Sequence, residues 1–152
     1  MAFGPVKIHA AVAVIACLYA ARANADCIDN AAAFHHVNAS LVRAIAEQES
    51  GMNPTRVGRN SNGTRDIGLM QINSTWLPKL ATYGVSEANL FDGCTNAFVG
   101  TWILAQNIAR LGNSWEAVGA YNAVTPSKRA AYVQKVYKKL LAIDPATAVQ
   151  AR

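Results

Sequence analysis

The chain has 152 residues, a net charge of +5 and charged side chains at only 15% of positions. That length suits one compact domain. A mild basic balance suits an anionic polymer such as a bacterial cell wall and is also ordinary for soluble proteins, but no basic stripe interleaved with aromatics and no nucleic-acid motif occurs, so no nucleic-acid partner is expected.

The first segment reads as a leader. Lys7 precedes a largely apolar run from Ile8 to Ala21, broken by His9, and Ala23-Asn24-Ala25 is a small-x-small cleavage site. This is the layout of a secretory signal peptide over residues 1–25, cleaved after Ala25. The run is too short to span a bilayer comfortably. Val14-Ile15-Ala16-Cys17 also forms a lipoprotein box, so lipidation at Cys17 is the alternative fate. Cleavage after Ala25 removes Cys17 and leaves Cys27 and Cys94, which in an exported protein read as a disulfide. Neither has a neighbouring histidine or further cysteine pattern to complete a metal site. Nothing in the chain points to a cofactor.

From residue 26 the pattern is helical nearly throughout. A first helix is expected over Asp29 to Val37, and Asn38 then caps a second over Ala39 to Ser50, which Gly51 and Asn53-Pro54 end. The polar stretch that follows predicts a small β-hairpin over residues 57–66, turning at Asn62-Gly63. Asn73 or Ser74 starts a helix through Leu80. The longest helix is expected from Cys94 to Leu111 with Phe98, Trp102, Ala105 and Ile108 or Ala109 on its buried side, followed by helices over Ser114–Asn122 and Pro126–Ile143. Trp76, Trp102 and Trp115 read as core, and His35-His36 as a solvated pair at a helix end. The fold class is mainly α, one domain over residues 26–143, with residues 144–152 as a flexible tail.

Glu49 is the candidate for acid chemistry. At about 100° per residue it falls on the same face as Val42 and Ile45, whereas Glu47 points to water. A carboxyl on an apolar face is desolvated, which raises its pKa and lets it act as a general acid near neutral pH. The alternative is a helix-end carboxylate bent out to solvent. The helix alone leaves both open.

Three segments follow in order: Glu49-Ser50-Gly51, Gly68-Leu69-Met70-Gln71-Ile72-Asn73 and Ala120-Tyr121-Asn122-Ala123. Together they resemble the lytic transglycosylases with a lysozyme-like, SLT-type domain, over about Cys27 to Leu140. The small transglycosylases of bacterial secretion and pilus systems look closer still, through the Gln71-Ile-Asn-Ser-Thr-Trp-Leu-Pro78 stretch and the early and late cysteines. The stretch from Arg59 to Ser74 also resembles the catalytic hairpin of animal-type lysozymes, with Asp66 at the position of the second carboxylate. That family is laced by several disulfides and this chain offers one.

The resemblance implies a lysozyme-like α+β fold and peptidoglycan as substrate, cleaved at the β-1,4 bond after N-acetylmuramic acid. Glu49 is then the catalytic acid: it protonates the leaving oxygen and, as a carboxylate, takes the proton of the sugar's own C6 hydroxyl as this closes onto C1. It further implies substrate-binding roles for Ser50, Asp66, Gln71, Asn73, Tyr121 and Asn122. The residues themselves also allow structural roles: a helix terminator at Ser50, a hairpin organiser at Asp66, turn residues at Gln71 and Asn73, core at Tyr121. Val124 stands where the family usually has glycine, which bears on the backbone just past Tyr121. A periplasmic location and components of a secretion or pilus machine as partners are expected. The alternatives are a lysozyme-like hydrolase using Glu49 and Asp66, and a wall-binding scaffold without catalysis.

Overall fold

In the computed structural model, which describes residues 26–150, the elements begin and end where the local chemistry demands. Helix α1 covers residues 26–35 and stops at His36, whose φ of 55° cannot continue a helix. Helix α2, Ala39–Ser50, is capped by Asn38, whose side chain accepts the Leu41 N–H at 3.0 Å. It ends at Gly51, left-handed at φ 66°. The chain then turns through β1 (Val57–Arg59), β2 (Arg65–Ile67) and β3 (Ile72–Asn73), a three-stranded antiparallel sheet in that order. The hairpin expected over residues 57–66 is its first two strands. The third escapes sequence reading because two residues are too few to display a period.

A 3₁₀ turn over Ser74–Trp76, capped by Asn73, leads into α3, Leu77–Ala81. A second 3₁₀ turn at Ala88–Phe91 precedes α4, Gly93–Leu111, capped by Asp92. Helices α5 (Trp115–Asn122) and α6 (Pro126–Ile143) complete the bundle. Packing runs from α2 onto α6, α6 onto α5 and α5 onto α4. The core centres on Val42 and Ile45 of α2, Leu104 of α4, Val136 and Leu140 of α6, and Ile67, Leu69, Met70 and Ile72 from the sheet and its loop. Cys27 of α1 and Cys94 of α4 form the disulfide, their Cα atoms 4.9 Å apart.

Two expectations are corrected. Residues 145–150 are not a loose tail but a seventh helix, α7 (Pro145–Gln150). Pro145 stops α6 yet suits the first turn of a new helix. The Asp144 carboxylate accepts from the Thr147 N–H at 3.0 Å, the Thr147 hydroxyl at 2.6 Å and the Ser40 hydroxyl of α2 at 2.9 Å, and Ala148 is fully buried. The buried face of α4 is also rotated. Ala97, Gly100, Thr101 and Leu104 face inward, Phe98, Trp102, Ala105 and Ile108 are half-buried, and Ala109 is exposed. The tightest packing uses the smallest residues: a Cβ on Gly100 would meet Met70 Sδ at 2.5 Å. Aromatic residues were therefore a poor guide to the face in closest contact.

Candidate active site

The last turn of α2 delivers Glu49 to a cleft of about 360 Å³ between the sheet and the helices. Asp66 of β2, Gln71, Asn73 of β3, Ile103 of α4, and Tyr121 and Asn122 of α5 line the same cleft. Burial pushes the Glu49 carboxyl up to about 7. A hydrogen bond from Tyr132 opposes that rise, the charge of Asp66 adds to it, and Arg56 and Lys135 oppose it more weakly. The raised value keeps the acid form available near neutral pH for a residue that first gives and then takes a proton.

The Glu49 contact that sequence reasoning missed comes from α6. The Tyr132 hydroxyl donates to Glu49 Oε1 at 2.5 Å. This bond fixes the carboxyl rotamer and, by occupying Oε1, leaves Oε2 to carry the exchangeable proton. Burial holds the Tyr132 hydroxyl far above the ordinary tyrosine range, and the adjacent Glu49 adds to the effect, so it remains a donor. In the sequence Tyr132 sits four and eight residues before Val136 and Leu140, all three buried. That spacing is indistinguishable from an ordinary helix core.

The other expected residues divide. Tyr121 reaches the cleft, and its hydroxyl donates to the Met70 carbonyl at 2.9 Å. Burial and the charges of Glu49 and Asp66 keep it neutral. Asp66 faces Glu49's cleft with both oxygens engaged, Oδ1 by the Asn73 amide at 2.7 Å and Oδ2 by the Asn60 amide at 2.9 Å. Asn73 is thus a cleft residue that also braces the hairpin, and it caps the following turn through Thr75 N–H at 3.0 Å. Gln71, at φ 51°, spends its amide N–H groups on the carbonyls of Gly68 at 2.9 Å and Arg56 at 3.1 Å. Asn122 is an exposed lining residue at the end of α5.

Ser50 does not join the cleft lining. It is buried, donating to the Leu69 carbonyl at 2.7 Å and accepting the Asn53 N–H at 2.9 Å, so it ties α2 to the loop that carries Gln71. Val124 disturbs nothing past Tyr121. Ala123 is extended at φ −139°, Val124 is 86% exposed, and it is not among the described non-glycine residues with positive φ.

Asn96, fully buried on α4, anchors the loop between β2 and β3. Its Oδ1 accepts the Met70 N–H at 2.7 Å, while its Nδ2 donates to the carbonyls of Leu90 at 2.7 Å and Ile67 at 2.9 Å. Gly68 passes so close that a Cβ there would lie 2.1 Å from Asn96 Nδ2, and its φ of 79° independently favours glycine. No group of histidine, cysteine, aspartate and glutamate among the described residues could hold a metal ion.

A half-buried, doubly tuned carboxyl beneath a cleft between a small sheet and a helical bundle defines a lysozyme-like, glycan-cleaving class of protein. Residues 26–142 match the transglycosylase SLT domain, and the chain belongs to that family. As a member it is a peptidoglycan lytic transglycosylase. It is 44% identical to the invasion protein IagB of Salmonella typhimurium (strain SL1344) over 117 residues, 76% of this chain and 73% of that one. It is 37% identical to protein IpgF of Shigella flexneri over 137 residues, 87% of this chain and 90% of that one. Among solved structures, an inactive mutant of the lytic transglycosylase Slt from Pseudomonas aeruginosa shares the fold. It superposes with a TM-score of 0.63 at 21% identity, covering 82% of this chain and 24% of that one.

Proposed function

We propose that this transglycosylase cleaves the β-1,4 bond between N-acetylmuramic acid and N-acetylglucosamine and leaves a 1,6-anhydro-muramyl end. Glu49, protonated on Oε2, gives its proton to the leaving oxygen. The resulting carboxylate, steadied by Tyr132, removes the proton of the C6 hydroxyl as that oxygen closes onto C1. The observation that carries this reading is the half-buried Glu49 carboxyl poised near 7 beside one short tyrosine hydrogen bond. The chain acts after export, with residues 1–25 removed as a signal peptide, in the periplasm. There it opens the wall locally for a secretion, conjugation or pilus assembly, a role that fits the name of the relative called an invasion protein.

A second reading is favoured by one observation: Asp66 shares the cleft and its charge reaches Glu49. In a hydrolase it would support the oxocarbenium-like centre while water attacks. Digestion of purified peptidoglycan and mass analysis of the products separates the readings. Anhydro ends are lighter than hydrolysed ends by one water, and a wall-binding scaffold without catalysis releases no fragments. Asp66→Asn is expected to lower the rate by less than about 10-fold in the one-carboxylate route; a loss of about 100-fold or more favours the hydrolase.

A further inference from the structure

Beside the cleft lies a cation with nothing of opposite charge to meet it. Trp76, which lines the cleft, packs edge-on against Trp102 with ring centroids 5.6 Å apart. Lys79, exposed on α3, holds its Nζ 4.8 Å from the Trp102 ring centroid and 5.7 Å from that of Trp76. No acidic side chain among the described residues pairs with it. Its one polar contact is the Gln106 Oε1 at 3.5 Å, a long approach to a neutral acceptor. Two of its three N–H donors therefore remain for a ligand.

Trp102 also lines an apolar pocket of about 230 Å³, together with His35, Leu80, Tyr83, Val85, Phe98 and Val99. Tyr83 reaches Trp102 at 6.0 Å and is 68% exposed. The touching indoles thus connect the catalytic cleft, which Trp76 lines, to the apolar hollow, which Trp102 lines, with the ammonium close to both rings. A bare sugar strand has no aliphatic side chain for the hollow, and its one acid is the lactyl carboxylate held close to the muramyl ring. A short peptide with a free carboxylate and small apolar side chains supplies both, and the muramyl sugar of peptidoglycan carries such a peptide.

We propose that Lys79, with the apolar pocket next to Trp102, forms a subsite for the acidic peptide stem of the substrate. This inference rests on the reading of the cleft given above. The flanking indoles hold the ammonium in place before the ligand arrives, which lowers the entropy lost on binding. Because the contact lies outside the reacting bond, it contributes to binding of ground state and transition state alike and acts on KM.

The test compares two purified substrates, glycan strands bearing peptide stems and strands stripped of peptide by an amidase whose exposed lactyl carboxylates are then capped as methylamides. Lys79→Met keeps the aliphatic stem and removes the charge. The ratio of KM on peptide-bearing to KM on stripped strands is expected to rise about fivefold, as for loss of an exposed ion pair, with kcat on both substrates within about twofold. Lys79→Arg is expected to restore the ratio, and raised salt to reproduce the loss in the parent protein. A ratio that Lys79→Met leaves at the parent value overturns the subsite. A parent protein that cuts neither substrate overturns instead the reading on which the subsite depends.

Discussion

Glu49 is held in a state that costs the fold and serves the chemistry. Its carboxyl titrates near 7 in the folded protein and near the model-peptide value of 4.5 when unfolded. Below the lower value both states are protonated and folding meets no penalty. Between the two values the folded chain keeps a proton that the unfolded chain releases, so stability falls as pH rises through that window. Above about 7 the full cost, about 3 kcal/mol, is in force. Glu49→Gln removes the titration. The variant is expected to lose cleavage altogether, to match its parent in urea unfolding at pH 4, and to exceed it by about 1–3 kcal/mol at pH 8. Equal stability at both pH values would show that the carboxyl is better solvated than its setting implies. The parent's cleavage rate is expected to decline above about pH 7, as the acid form is depleted.

Glu49 was legible in the sequence because its position relative to Val42 and Ile45 is a matter of helical phase. Tyr132 was not, because a buried tyrosine that donates to a carboxyl and one that merely fills space have the same spacing. Ser50 illustrates the reverse case: adjacency to Glu49 along the chain suggested a substrate role, whereas its hydroxyl is spent on Leu69.

The elements meet through polar groups as much as apolar ones. Asn96 of α4 satisfies three backbone groups of the segments around β2 and the following loop, and all three hydrogen bonds are buried. Asn96→Leu, which keeps the branched outline and replaces the amide with two methyls, would leave the Ile67 and Leu90 carbonyls and the Met70 N–H without their Asn96 partner in the core. The expected loss is about 3–5 kcal/mol, read as a shift of the urea midpoint with the slope retained. The helices themselves were legible from caps and breakers: Asn38, Asp92 and Ser114 each accept a backbone N–H of the helix they open. The side of α4 that faces the core was not, since hydropathy favours Phe98 and Trp102 while close packing favours Gly100 and Ala97. α7 was hidden by Pro145, which closes one helix and opens the next.

At the scale of the whole molecule, Cys27 and Cys94 close a loop of sequence separation 67 and join α1 to the start of α4. Restricting the unfolded chain over that length is worth roughly 2–4 kcal/mol. Replacing both cysteines by alanine is expected to lower the unfolding free energy by that amount while leaving the Glu49 cleft in place, measured by parallel denaturation and cleavage assays. Loss of cleavage at full stability would show instead that the crosslink shapes the cleft.

The bond between Glu49 and Tyr132 spans 83 positions of the chain. A polypeptide threaded through a membrane from its first residue delivers the acid early and its tyrosine partner only near the end. Until α6 has arrived and seated, the carboxyl has no partner to orient it and no wall to exclude water. Under the export route proposed above, a half-delivered chain would lack the assembled acid, and cleavage would begin only once delivery is all but finished.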